Sequence, residues 1–343
     1  MGAKWNGLKK YSYSYLTHVM TETTTKKGRK DSFRSITASF AEAVKKHPLY
    51  KEFYLRHKDK VIVGIRDNSI ELYYNCDLIS EFRVKGKEVI VEINSYYLGL
   101  PQKGKVTIDP IKYDMSSTYC TITEMSDKRA KREKQSQERL YITNNSNDLS
   151  NWFCIDVEYA HSTKGKKDPW RFDIIAVSKS LPHRVALIEL KYGDVAIDGD
   201  SGITKHIKDY YNFHCNESYR ILRPELISII NGLELMEVVI PDTISKNLNE
   251  EDFCEQPEYY FITLNNNPKM KGGSTPKMKM AGYLFGGKTW GSRKTSSKVG
   301  TDGFYAVVKD PAFRPFFKFS TAILPDLGID DIIDSPLYEE GKY

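Results

Sequence analysis

Two short runs decide the reading of this chain: Arg171-Phe172-Asp173-Ile174-Ile175-Ala176-Val177 and, after a polar break, Val185-Ala186-Leu187-Ile188-Glu189-Leu190-Lys191. Ile174 to Val177 and Val185 to Leu190 are brief, apolar and partly β-branched, which predicts strands buried in a sheet. The charged residues that begin and end them do not belong in a core. Asp, Glu and Lys are almost never fully buried unless they are paired or hold a metal.

Strand alternation turns this anomaly into chemistry. Residues two apart on a strand point the same way, so Glu189 and Lys191 project together while Leu190 faces the other side. If the two runs pair as an antiparallel hairpin, Asp173 comes within reach of Glu189. Two carboxylates that close repel when both are ionised, and a hard divalent cation relieves the repulsion. An ammonium beside them can hold a water or a phosphate oxygen, a set suited to metal-assisted hydrolysis of a phosphodiester.

Asp173 followed after a hairpin by Glu189-Leu190-Lys191 resembles the signature of the PD-(D/E)XK (restriction-endonuclease-like) nuclease superfamily. The resemblance covers roughly residues 127–264 and implies an α/β (α+β) fold with an αβββαβ core. It implies that Asp173 and Glu189 bind Mg²⁺ (or Mn²⁺), that the Leu190 carbonyl completes the coordination, and that Lys191 activates or orients water. An additional upstream acid is common in the family. Glu158, on the preceding strand, would serve both catalysis and the metal; Glu138, on a preceding helix, is the alternative. Phe172 stands where the family name has proline.

Outward from this centre, the sequence supplies a setting. Charged residues run through Asp127-Lys128-Arg129-Ala130-Lys131-Arg132-Glu133-Lys134 toward Tyr141. They predict either a solvated linker helix or the first helix of the core. Beyond Lys191, Ile203, Ile207, Tyr210, Tyr211 and His214 recur on one face of a helix reaching about Asn216, which offers Lys205 or His206 to the site. A lone His is also an ordinary satisfied surface or core group. A helix from Pro224 to Met236 and a fourth core strand over Tyr259 to Leu264 follow. Upstream, Ser32 to Tyr54 reads as a helix. Val61 to Ile65, Ile70 to Tyr74, Leu78 to Val84 and Val89 to Ile93 then read as an antiparallel meander with turns at Asp67-Asn68 and Lys85-Gly86-Lys87. Tyr73, Tyr74, Tyr96 and Tyr97 could stack on unpaired bases or simply pack across strands.

The resulting organisation is an N-terminal α+β recognition or partner module over 1–125, a nuclease core over 126–265 and a C-terminal extension over 266–343. Residues 266–300 of that extension carry eight Lys or Arg and no acid, although the whole chain of 343 residues has a net charge of only +6. Lys277, Lys279, Lys288, Arg293 and Lys294 there, with Lys205, are candidates to bind a nucleic-acid backbone. Gly282-Tyr283-Leu284-Phe285-Gly286-Gly287-Lys288-Thr289 fits the P-loop pattern letter for letter. It lacks a buried strand before it and a good helix after it, so a phosphate-binding loop is set aside. The acidic C-terminal tail (Asp326, Asp330, Asp331, Asp334, Glu339, Glu340) reads as solvated, with occupation of the basic groove as a rival reading.

Composition narrows the rest. With 40% hydrophobic and 12% aromatic residues the chain is of globular type. No apolar run approaches the roughly 18 residues of a membrane span. Five scattered cysteines without a Cys-x-x-Cys pair argue for free thiols in a cytoplasmic protein and against zinc. The expectation is a cytoplasmic, metal-dependent endonuclease acting on DNA, in restriction or anti-phage defence. A protein partner or homo-oligomer is open, and no membrane is involved. An RNA nuclease of the same superfamily and a non-catalytic nucleic-acid-binding or assembly protein are the alternatives.

Overall fold

In the computed structural model, two five-stranded sheets are joined by helices, a mixed α/β arrangement of the general α+β class. The structure describes residues 33–333 except 87, 162–169, 198–201, 245–246, 268, 270–271, 287–302, 304, 306–309 and 324–327. All of these lie within one compact unit, Ser32–Tyr343.

The helix expected over Ser32 to Tyr54 is broken. Thr37 caps α1 (Ala38–Lys46) by accepting from the Phe40 amide at 3.2 Å. His47 ends it in extended backbone and caps a second start, α2 (Pro48–Tyr50), where Pro48 occupies the first turn and needs no amide partner. A wider helical turn, Lys51–Leu55, follows directly.

The antiparallel meander comes next: β1 (Ile62–Arg66), β2 (Ser69–Tyr74), β3 (Asp77–Lys85), β4 (Glu88–Asn94) and β5 (Lys105–Thr107), adjacent in that order. Between β2 and β3 the two-residue turn Asn75-Cys76 has both residues at positive φ, 53° and 49°, the backbone that matches the twist of a tight hairpin. Tyr73 and Tyr97 are buried, and Tyr73 receives a hydrogen bond from Arg66 at 2.7 Å. These two tyrosines are therefore packing residues and not open base platforms.

The charged run is not one helix. Ala130, with ψ of 128°, separates α3 (Met115–Arg129) from α4 (Arg132–Asn145). Then come β6 (Trp152–His161), β7 (Trp170–Ser178), β8 (Val185–Tyr192), α5 (Ile203–Cys215), α6 (Tyr219–Leu235), β9 (Glu258–Leu264), α7 (Pro276–Phe285), β10 (Phe316–Phe319) and α8 (Ile329–Ile333). The second sheet has the order β10-β9-β8-β7-β6. Strands β6, β7 and β8 are antiparallel, while β9 runs parallel to β8 and β10 parallel to β9. The C-terminal segment thus contributes an edge strand to this sheet.

Both faces of the mixed sheet are covered, which explains its near-continuous apolar runs. Leu140 and Tyr141 of α4, with Ile329 and Ile332 of α8, pack on one face against Trp152, Ile174 and Ile188. Ile207, Tyr210, Leu226 and Ile230 of α5 and α6 cover the other, against Ile175, Leu187 and Phe261. Helix α6 begins at Tyr219, ahead of Pro224, not at the proline as expected from sequence.

The two sheets meet at Asp156, which is fully buried at a bulge in β6. Its carboxylate takes Arg34 Nη1 at 2.8 Å and Arg66 Nη1 at 2.9 Å. Of the acidic tail, Asp330 is docked and Asp331 is exposed, while Asp326, Asp334, Glu339 and Glu340 lie outside the described residues. Asp330 accepts from Ser150 Oγ at 2.8 Å and from the Asn151 amide at 2.7 Å, and Ile329 and Ile332 are buried beside it. Among the described residues no helix is long and apolar enough to cross a membrane.

Candidate functional site

The hairpin β7–β8 does bring its charged residues together, and the place is set by where the two strands part. Their register runs from Val177↔Val185 to Ile174↔Ile188 and stops there. One residue further, Asp173 replaces the missing ladder bond with its side chain, Oδ2 accepting from the Leu190 amide at 2.8 Å. Strand β8 meanwhile stays paired to β9 as far as Tyr192↔Leu264, so Glu189 and Lys191 are held rigidly on the inner side of the split. Leu190 meets Asp173 through its amide.

Lys191 is the hub. Its Nζ lies 2.7 Å from Glu189 Oε1, 3.3 Å from Glu133 Oε1 and 4.0 Å from Asp173 Oδ2. His206, on the first turn of α5, places Nε2 3.1 Å from the same Glu189 oxygen. Neither of those two close approaches has hydrogen-bond geometry, and Glu189 Oε1 is a buried acceptor without a directed donor. The floor of the site is closed, with the Glu189 side chain 2% exposed, but Asp173 at 17% and Glu133 at 36% open it toward solvent.

Electrostatics follow from that burial. Burial and the neighbouring Glu189 push the Asp173 carboxyl well above the usual carboxylate range. Burial likewise raises Glu189, to about 7, against the opposing pull of Lys191. For Lys191 burial favours the neutral amine, but Glu189, Asp173 and Glu133 outweigh it and hold the ammonium. Burial and then Lys191 lower His206 to about 4, so it is the neutral imidazole near pH 7. Two acids that resist ionising side by side, bridged by a cation, make a site that prefers positive charge.

A second cluster adjoins it. By the register on either side, Val157↔Ile174 and Tyr159↔Phe172, Glu158 lies across from Asp173. Glu158 has φ of 50°, a left-handed backbone inside a strand that costs free energy for any residue but glycine. Its carboxylate faces Lys134 of α4 at 3.6 Å, and the same ammonium reaches Asp77 at 3.4 Å and donates to the Cys76 carbonyl at 2.9 Å. The tip of the β2–β3 hairpin is therefore one wall of the site.

Of the other expected residues, Glu138 is placed elsewhere. It accepts from the Cys76 amide at 2.8 Å and supports the hairpin turn, with burial raising its carboxyl to about 8. The α4 acid that reaches Lys191 is Glu133. Five residues separate the two, about 140° around a helix, so α4 can offer only one of them. Lys205 is half-buried one position before His206 on α5, and Lys277 and Lys279 are half-buried on α7. Lys288, Arg293 and Lys294 lie outside the described residues. The P-loop-like stretch begins inside α7, with helix and not strand before it, and Gly287, Lys288 and Thr289 are outside the described residues. Sequence reasoning missed Glu133, Lys134 and Asp77. The only signal for them was their position in charged or turn segments that fit a solvated surface equally well.

The donor set that a small hard cation would find here is two carboxylates, Asp173 and Glu189, which converge on the Lys191 ammonium. Mg²⁺ is typically held by one or two carboxylates and keeps several waters. A closed cage is not on offer: among the described residues no group of three or more His, Cys, Asp or Glu side chains gathers to hold a metal.

No protein-family model, curated protein or solved structure matches this chain.

Proposed function

We propose that this chain is a divalent-metal-dependent nuclease that hydrolyses phosphodiester bonds of DNA, with a restriction-endonuclease-like core running from α4 to β9. The observation that carries the reading is the convergence of Asp173, Glu189 and Lys191 where β7 and β8 part. The element order supports it: one helix, three antiparallel strands, then helices and a strand parallel to β8, with α6 added to the expected αβββαβ.

In this reading Asp173, Glu189 and the Leu190 carbonyl hold Mg²⁺ or Mn²⁺. The bound ion supplies Lewis-acid stabilisation of the phosphate and a more acidic water. Lys191 donates hydrogen bonds from a fixed ammonium, which orients water and offsets charge on the phosphate. Glu133 steadies that ammonium from the solvent side. His206, as a neutral imidazole, adds no positive charge of its own beside Glu189. Lys205 and α7, with Lys277 and Lys279, lie on the segments that follow Lys191 and give the backbone of a nucleic acid a basic approach.

Duplex DNA, single-stranded DNA and RNA, each with Mg²⁺, with Mn²⁺ and with chelator, separate the readings. The expected result is chelator-sensitive cleavage of DNA; cleavage of RNA alone points to a ribonuclease of the same type. The closure of Asp173, Glu189, Lys191 and Glu133 into ion pairs favours one second reading, a nucleic-acid-binding or assembly protein that keeps the fold without cleaving. That reading predicts binding in the same panel with no product under any metal. A role in restriction or anti-phage defence is part of the proposal and predicts protection of a bacterial host that is lost with Lys191→Ala.

A further inference from the structure

We propose that the elbow between α3 and α4 is where this chain grips the backbone of its nucleic acid, through Lys131 and Arg132 with Arg129 beside them. The inference rests on the reading of Asp173, Glu189 and Lys191 as a phosphodiester site, and it names the surface along which the substrate reaches that site.

The elbow is a dense run of positive charge. Lys128, Arg129, Lys131 and Arg132 are all exposed, and only Ala130 interrupts them. The ψ of 128° at Ala130 turns the chain there, so the end of one helix and the start of the next present these cations together. The acids of the same stretch are engaged elsewhere. Glu124 holds Lys128 at 2.7 Å, Asp127 accepts from Asn75 Nδ2 at 2.9 Å, and Glu133 faces the Lys191 ammonium at 3.3 Å. Arg129 lies over the Tyr96 ring, 5.4 Å from its centroid. The Arg132 guanidinium donates to the neutral Gln135 side chain at 3.4 Å. The Lys131 ammonium has no partner among the described residues.

Helix energetics do not account for Lys131 and Arg132. Lys128 and Arg129 suit the last turn of α3, whose carbonyls attract cations. Lys131 and Arg132 sit at the opposite kind of end, the N-cap and first position of α4, where the dipole and the free amides favour an anion. Ser, Thr, Asp or Asn would cap that turn, whereas Lys131 gives it no side-chain hydrogen bond. Two cations at an uncapped first turn, kept against helix preference, offer a place for a backbone phosphate. The next two residues of the same turn, Glu133 and Lys134, face Lys191 and Glu158. One turn rises about 5.4 Å, so backbone held at the elbow runs on toward the split between β7 and β8.

Binding of a short fluorescein-labelled DNA duplex to the full chain is measured by anisotropy, without divalent metal, over a series of NaCl concentrations. Each phosphate contact adds roughly 0.9 to the slope of log K against log [NaCl]. Lys131→Ser/Arg132→Gln should therefore give a slope shallower by about two and bind about tenfold more weakly near 0.1 M salt. Its melting temperature should stand at or above that of wild type, since serine caps the turn. Lys131→Gln alone should lose about one from the slope, which keeps the test decisive if the double variant fails to fold. Lys46→Gln/Lys112→Gln removes equal charge from exposed sites on α1 and ahead of α3, and should keep the wild-type slope. No duplex binding by wild type, an unchanged slope in the folded elbow variants, or an equal loss in both double variants would overturn the inference. Cleavage separates it from the reading beneath it. DNA cut by wild type, with an unchanged slope in the elbow variants, removes the elbow alone. Elbow-dependent binding with no product under Mg²⁺ or Mn²⁺ leaves the elbow and removes the hydrolytic reading.

Discussion

Glu189 and Asp173 are carboxylates in a place where an ionised group survives only with a partner, and the protein supplies that partner as Lys191. The anomaly was legible in the residues themselves, because acids and a lysine ending apolar strand runs have few structural explanations. The identity of the second acid from α4 was not legible, since Glu133 and Glu138 sit in one charged helix and only packing decides which turns inward. Glu138 provides a prediction at this scale. Its folded carboxyl titrates near 8 against an ordinary value of 4.5. Between those values the folded state keeps a proton that the unfolded chain has released. Its contribution is therefore full below about pH 4.5 and is lost as pH rises through 8, by on the order of a few kcal/mol. Glu138→Gln keeps an acceptor for the Cys76 amide and removes the titration. Thermal unfolding from pH 5 to pH 8.5 should show a flatter profile for the variant and greater stability than wild type at pH 8.5. Parallel profiles would contradict this role.

Among the elements, β6 links the two sheets, and its bulge exists to bury one carboxylate between two guanidinium groups. Asp156→Ala leaves Arg34 and Arg66 without their shared anion, a change that typically costs about 3–5 kcal/mol when the partner stays buried. Urea unfolding should show the loss, and a midpoint within error of wild type would show that the sheets are held by packing alone. Strands were the most readable elements. The meander residues alternate or run apolar between strong turn signals, and each of its four expected strands is present within one residue at either end. Helix limits were less readable because capping decides them locally. The 127–141 run hides the break at Ala130, and the helix that Pro224 seems to open starts at Tyr219. The turn Asn75-Cys76 carries no glycine, so its approach to the site left no mark in the sequence.

At the scale of the whole molecule, the C-terminal segment is structural as well as charged. Strand β10 extends the mixed sheet, and α8 covers the face opposite α5 and α6. Deleting residues 329–343 removes Ile329, Ile332 and the bonds from Asp330 to Ser150 and Asn151. Two buried isoleucines contribute about 1.5–3 kcal/mol each, so calorimetry should record a clear drop in melting temperature. An unchanged melting temperature would return the tail to the solvated role its acidity suggests. The larger design places the cluster of Asp173, Glu189 and Lys191, the proposed hydrolytic centre, on the inner strands of one sheet and walls it with a hairpin tip from the other. Its most direct test is the rate of Mg²⁺- or Mn²⁺-dependent DNA cleavage by wild type and by folded Asp173→Asn, Glu189→Gln and Lys191→Ala proteins. The prediction is a loss of about 10³-fold or more in each variant, read on protein that still unfolds cooperatively. Cleavage at an undiminished rate in Asp173→Asn or Lys191→Ala would contradict it.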